Sequence, residues 1–381
     1  MDRYKSDLQY MLAKGSFPND VKNLEQIFKD RQIIVYGAGE CSHWFFEVVM
    51  NMHGYKPIAV LDRALHKGDS IYGIPAFSPE EYLLTREQID STVAVICVGK
   101  REYHAEIIRT LEEIGFKEII YLMDIYEIHN PFDMPGALAQ QGFRFYADNE
   151  KSILKALELF KDEKSRDVYL SFMKTHIQRK PVSIPDSPRR EQYFPKDILL
   201  KKGFSNFINC GAYDGDTIRL LNHDQGKVST VVCFEPQQSI FSRLTNYLKD
   251  DKHNIADEVI AFPCAVSDKE ALMPFISSNG LGSRISKKGD TFVQGVSLDS
   301  VLPAFKATYI CMDIEGMEMS ALKGAEKMLR EQQPDLAVCV YHDPSHLWEI
   351  PLYLNSLNIG YELYLRNYTS FTYETVLYAT T

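Results

Sequence analysis

The stretch Phe207-Ile-Asn-Cys210-Gly211-Ala212-Tyr213-Asp-Gly215-Asp-Thr217 carries the fold of this chain. An apolar run of strand length enters a turn with two glycines four residues apart. Residues with helical spacing follow. A strand that passes through a glycine turn into a helix opens a βα unit. Gly211 permits a tight turn, and Gly215 lets backbone come close to a ligand. The helix N-terminus adds free N–H groups and a partial positive field. Asn209, Gly211, Ala212, Tyr213 and Gly215 are therefore cradle candidates. Taken alone, the same pattern fits a plain strand-to-helix turn.

The pattern continues downstream. Residues 230–234 read as a second strand, ending at Glu235, 20 residues after Gly215. An acid there can accept hydrogen bonds from both hydroxyls of a ribose. The alternative is a solvated strand-end carboxylate. Turn and acid together point to an adenosine-type ligand, without separating a nicotinamide cofactor from S-adenosylmethionine. Residues 259–266, 309–314 and 336–341 read as strands three to five. Residues 361–366 and 374–379 read as an antiparallel hairpin closing a mixed sheet.

Upstream, Gln32-Ile-Ile-Val-Tyr36 runs into Gly37-Ala38-Gly39, and a helix-like stretch covers 41–52. Residues 57–61, 91–98 and 118–122 read as further strands, with a helix near 103–114. Asp62 ends the second strand, 23 residues after Gly39. This resembles a dinucleotide-binding fingerprint in which Ser42 replaces the third glycine. Gly37, Gly39, Asp62 and Gly99 are its nucleotide candidates. A degenerate scaffold that serves only for assembly fits equally well. The expected organisation is α/β, with two Rossmann-like three-layer domains. It comprises an N-terminal helical segment (1–30), a nucleotide- or nucleotide-sugar-binding domain (31–130), a helical connector (131–200) and a second α/β domain (201–381).

Composition narrows the class. The chain is 45% hydrophobic and 25% charged, with a formal net charge of −10. That balance argues against broad binding to nucleic acid or anionic membrane. No apolar run approaches the roughly 20 residues that span a bilayer, and the start of the chain lacks the apolar core of a signal peptide. Seven cysteines occur with no CxxC pair, as expected for buried free thiols in a reducing cytoplasm.

A third segment separates the ligand alternatives. Ile310-Cys-Met-Asp313-Ile-Glu315-Gly316-Met-Glu318-Met-Ser-Ala-Leu322-Lys-Gly324-Ala325 resembles the D-x-E-G-x-E-x-x-x-L-x-G-A signature of the FkbM family of methyltransferases. Other segments resemble that family in the same order: Asn209 to Gly215, Phe234-Glu235-Pro236, Ala265-Val-Ser-Asp268, Val296-Ser-Leu-Asp299 and Tyr341-His342. One departure is Asn209, where the family has an acid. Its amide oxygen can still accept a hydrogen bond but carries no charge.

The resemblance implies a class I methyltransferase sheet with an antiparallel C-terminal hairpin, and S-adenosyl-L-methionine as cofactor. It also implies an O-methyltransferase whose acceptor is a carbohydrate or other small molecule. The cofactor residues it implies are those of the turn with Glu235, Ala265 and Asp313. Asp313, Glu315 and His342 fall at the ends of strands four and five, the edge where open α/β sheets bind ligands. Asp313 or His342 is the expected general base, with Glu315 orienting the acceptor. No resident metal is expected. Gln192-Tyr193-Phe194 resembles a flap over the cofactor, and Trp348 is either a sugar-stacking ring or core. The rivals are an NAD(P)-dependent dehydrogenase or a non-catalytic nucleotide sensor built on the first domain. The former would need a catalytic Tyr/Lys or His at a spacing that the sequence does not show.

Overall fold

The structure is a computed structural model that describes residues 1–14, 24–98, 103–122, 125, 143–178, 184–277, 283–287, 289–369, 372 and 374–381. Two separate sheets follow the alternation seen in the sequence. The first contains β1 (Gln32–Tyr36), β2 (Ala59–Leu61), β3 (Asp69–Ile71), β4 (Ile74–Phe77), β5 (Thr92–Ile96) and β6 (Glu118–Tyr121), in the order β3-β4-β2-β1-β5-β6. Its pairings are parallel except for the β3–β4 hairpin. That hairpin has no counterpart in the expected strands, because Tyr72-Gly73 lies in a short, mixed, half-exposed stretch without clear alternation. The helix expected over 41–52 starts as α-helix (Glu40–Trp44) and continues as π-helix (Phe45–Met52).

The second part contains β7 (Asn206–Cys210), β8 (Val228–Phe234), β9 (Ala256–Phe262), β10 (Ala265–Val266), β11 (Ala271–Ile276), β12 (Arg284–Ile285), β13 (Thr291–Val296), β14 (Tyr309–Met312), β15 (Asp335–Cys339), β16 (Glu362–Asn367) and β17 (Thr375–Thr380). Seven of them form one sheet in the order β16-β17-β15-β14-β7-β8-β9. The five strands from β15 to β9 are parallel, and β16–β17 is an antiparallel hairpin paired through β17 to β15. This is the mixed sheet expected from the sequence. Parallel strands covered on both faces need continuous apolar runs, and β7, β14 and β15 are buried almost throughout.

Residues 259–266 do not form one strand. Pro263 follows β9, and the chain then enters a different four-stranded sheet, β10-β13-β11-β12. Proline has no N–H to donate to a ladder, so the strand breaks there. The four-stranded sheet went unread in the sequence because its strands are short and half-exposed.

The helix Asp2–Lys14 packs on the helices Glu150–Leu159 and Glu163–Gln178, and all three share one core with the seven-stranded sheet. Tyr4 Oη donates to Asp167 at 2.7 Å. Trp348, 1% exposed, lies against Phe145 and Tyr146 at ring distances of 5.4 and 6.0 Å. It is core, not a stacking platform for a sugar. No helix among the described residues is long and apolar enough to cross a membrane.

Candidate active site

A cavity of about 710 Å³ opens at the C-terminal ends of β7, β8 and β14. Parallel strands end there with free carbonyls and loops, and adjacent helices begin there. The volume is typical of a small-molecule site.

The glycine turn forms one wall. Gly211 has φ +82°, and a Cβ there would lie 1.9 Å from the Asp313 carbonyl oxygen. Only glycine lets β7 turn this close to the end of β14. Gly215 also has a positive φ, +93°. A Cβ on it would meet the Tyr247 ring at 2.7 Å, so its bare backbone seats an aromatic neighbour. Gly211 and Ala212 N–H groups both donate to the Phe234 carbonyl, at 3.0 and 2.9 Å. Ala212 is fully buried, while Gly211 and Tyr213 line the cavity. Asn209 is buried beneath the turn, and its amide N and O have no hydrogen-bond partner among the described residues.

Glu235 lies at the end of β8 and lines the same cavity. Its Oε2 accepts from Tyr213 N at 3.1 Å and its Oε1 from Gln237 N at 2.8 Å. Burial pushes its carboxyl up to about 7, while the two backbone donors and Arg243 oppose that rise. Phe234, Ile240, Ala265 and Val266 supply apolar wall beside it. Ala265 is on β10, so the second sheet delivers this part of the site. Asp216, at the start of the helix Asp216–Gln225, also lines the cavity and is raised by burial.

The acidic end is built on the loop after β14. Asp313, Glu315 and His342 all line the cavity. Tyr193 Oη donates to Asp313 Oδ2 at 2.6 Å. His342 Nε2 lies 3.3 Å from Asp313 Oδ1 and 3.7 Å from Glu315 Oε2. Its Nδ1 lies 2.7 Å from Glu318 Oε1. Burial opposes a charged imidazole, but Glu318, with Asp313 and Glu315, outweighs it and raises His342 to about 10. The pairing with Glu318 therefore favours the charged imidazole.

Glu318 is the member of this cluster that sequence reasoning missed. It is fully buried. Burial alone would raise its carboxyl, but His342 and His346 hold it well below the carboxylate range. His346 Nδ1 is 3.2 Å from its other oxygen. Glu318 also accepts from Ile314 N at 3.1 Å and Gly316 N at 3.4 Å, which fixes the loop carrying Glu315 at φ +54°. Asp313, Glu318 and His342 each place one donor atom within 4.8 Å of the others. Glu318 and His342 face one another there as a hydrogen-bonded ion pair.

Gln192 and Tyr193 line the cavity as a strap. Gln192 Nε2 donates to Tyr193 Oη at 3.0 Å and to Glu374. Arg189, Arg190 and Arg284 also line the cavity. Of the loop 278–283, only Ser283 is described, and it lies at the cavity.

In the first domain, Asp62 closes the glycine turn. Its Oδ2 accepts from Ala38 N at 2.9 Å and its Oδ1 from Ala64 N at 3.0 Å. Gly37 N donates to the Leu61 carbonyl at 2.8 Å. Gly39 precedes the helix Glu40–Trp44 as its cap, with ordinary φ. Gly99 and Lys100 lie outside the described residues.

Residues 209–367 match the family model described as Methyltransferase FkbM domain. A solved methyltransferase FkbM from Methylobacillus flagellatus KT superposes with a TM-score of 0.79 at 20% identity, covering 99% of this chain and 98% of that one. The fold is therefore shared along nearly the whole chain, first domain included. Fibrillarin from Aeropyrum pernix, solved with natively bound S-adenosyl-L-methionine, gives a TM-score of 0.32 at 10% identity over 48% of this chain and 70% of that one. No curated protein matches the chain.

Proposed function

We propose that this protein is an S-adenosylmethionine-dependent O-methyltransferase acting on a hydroxyl of a sugar or a nucleotide-linked sugar. The observation that carries this reading is the joint one. The part of the chain that matches the FkbM domain surrounds a cavity with a buried acid at the end of β8, beside a glycine turn. The residues fit the cofactor's chemistry. A buried carboxylate suits a ribose diol, and the apolar wall of Phe234, Ile240, Ala265 and Val266 suits a flat heterocycle.

Glu235 would hold the ribose hydroxyls, and the turn at Gly211 and Tyr213 would lie against the methionine portion. Bound S-adenosylmethionine supplies an electrophilic methyl group on a sulfonium. The chain's task is to position an acceptor and receive its proton. Asp313 and Glu315 stand at the edge where an acceptor would enter, and His342 orients both. Tyr193 and Gln192, on the strap, would close over the bound molecules and exclude water.

We read residues 31–130 as a module for the nucleotide part of the acceptor, built around the turn at Gly37 and Asp62. The seven cysteines are free and five are buried, which supports a reducing, cytoplasmic setting. Incubation with methyl-labelled S-adenosylmethionine and a panel of nucleotide sugars, free sugars and polyols tests the reading. Label should pass to a hydroxyl of a panel member. Label passing only to an amine, or binding of NAD in place of S-adenosylhomocysteine, would contradict it.

A further inference from the structure

Three side chains reach the acidic end of the cavity, and their surroundings differ. Asp313 Oδ2 accepts a hydrogen bond from the Tyr193 hydroxyl at 2.6 Å, and its Oδ1 lies at ion-pair distance, 3.3 Å, from His342 Nε2. Both nitrogens of His342 point at carboxylates, with Glu318 on one side and Asp313 and Glu315 on the other. Among the described residues, Glu315 has one ion-pair partner, His342 Nε2, at 3.7 Å from Oε2. Its loop is fixed from below by Glu318, through the N–H groups of Ile314 and Gly316. This arrangement holds a carboxylate at the cavity wall and leaves it room to accept a proton.

We propose that Glu315 is the proton acceptor of the reaction, and that Asp313, His342 and Glu318 are positioning residues that hold it in place. This rests on the methyltransferase reading above. In the step, the acceptor oxygen forms a bond to the methyl carbon while the carbon–sulfur bond breaks and its electron pair returns to sulfur. The hydroxyl proton passes to a Glu315 oxygen. The sulfonium positive charge and the carboxylate negative charge disappear together. The groups facing Glu315 are Asp313 and Glu318, which disfavour its charge, and His342 and Arg284, which favour it. Burial is the largest influence and raises its carboxyl, which suits a base that must take up a proton.

Calorimetry without any acceptor tests this. The probes are S-adenosylhomocysteine, which is neutral at sulfur, and sinefungin, which carries an amine where the methyl sulfonium would be. Titrations in two buffers of different protonation enthalpy at pH 6 report protons exchanged on binding. Sinefungin should release more protons from the wild type than S-adenosylhomocysteine does, because its cation drives Glu315 to ionise, and Glu315→Gln should abolish that excess; exchange at Glu235, which meets the ribose of both probes, cancels in the comparison. The same variant should weaken sinefungin about tenfold, as expected for one lost charge-assisted contact, and leave S-adenosylhomocysteine within about threefold. Glu315→Asp keeps a carboxylate and should retain the excess. Unchanged excess release and affinity in Glu315→Gln, with the loss found in Asp313→Asn, would overturn the assignment, as would identical behaviour of the Asp and Gln variants. If the wild type binds neither probe, the methyltransferase reading fails instead.

Discussion

His342 Nδ1 lies 2.7 Å from Glu318 Oε1, with the two residues 3% and 0% exposed. A buried ion pair at hydrogen-bond distance locks the protonation of both partners. The pair favours the charged form of the His342 imidazole.

Replacing one partner leaves the other charged and buried, so Glu318→Gln should destabilise the protein by about 3 kcal/mol. The loss should depend on pH. His342 is raised from 6.5 to about 10, so its contribution is complete below about 6.5 and disappears as pH rises towards 10. Glu318 is depressed, so its contribution is present above its ordinary value and is lost only in acid. The melting difference between wild type and Glu318→Gln should be largest between about pH 5 and 6.5 and shrink towards pH 10. Thermal melts across that range measure it. A constant difference would contradict the pair.

Glu235→Ala should weaken S-adenosylhomocysteine about 10- to 100-fold, by removing charge-assisted hydrogen bonds to the ribose. The N–H groups of Tyr213 and Gln237 also lose their acceptor, so the turn should loosen. Calorimetry on the variant, with circular dichroism to check the fold, measures this.

Gly211→Ala should cost roughly 2–4 kcal/mol and abolish cofactor binding, since the new methyl would overlap the Asp313 carbonyl and the backbone is left-handed. The overlap is with backbone, so rotation of a side chain cannot relieve it. Chemical unfolding and a binding titration measure the two effects. A stable variant that still binds the cofactor would refute this account of the turn.

Arg366, 1% exposed, ties β16 to Asp162, just ahead of the helix Glu163–Gln178, at 2.6 Å and to Asp197, in the loop before β7, at 2.8 Å. Arg366→Ala should cost about 2–4 kcal/mol, towards the lower end because both aspartates stay partly solvated. Urea unfolding measures it.

The seven-stranded sheet was legible in the sequence because its strands are apolar runs between glycine turns. Residues 207–210, 309–312 and 335–339 are buried on both faces, and such strands announce themselves by composition. The four-stranded sheet was not legible. β11 leaves Leu272 70% exposed, and β13 leaves Phe292 66% exposed, so neither alternates cleanly. The site was legible where chemistry accompanies a strand end, as at Glu235 and Asp313. Glu318 escaped because its partner, His342, is 24 residues away and nothing local marks the contact. At Gly215, a glycine that seats Tyr247 and one that faces a ligand look the same in sequence.

The most direct test of the central claim is a calorimetric titration of S-adenosylhomocysteine into the wild-type protein, repeated with Glu235→Ala and with NAD in its place. The account predicts one binding event per chain for S-adenosylhomocysteine, a loss of at least about tenfold in the variant, and no displacement by NAD. Absence of binding, or binding that Glu235→Ala leaves unchanged, would contradict it.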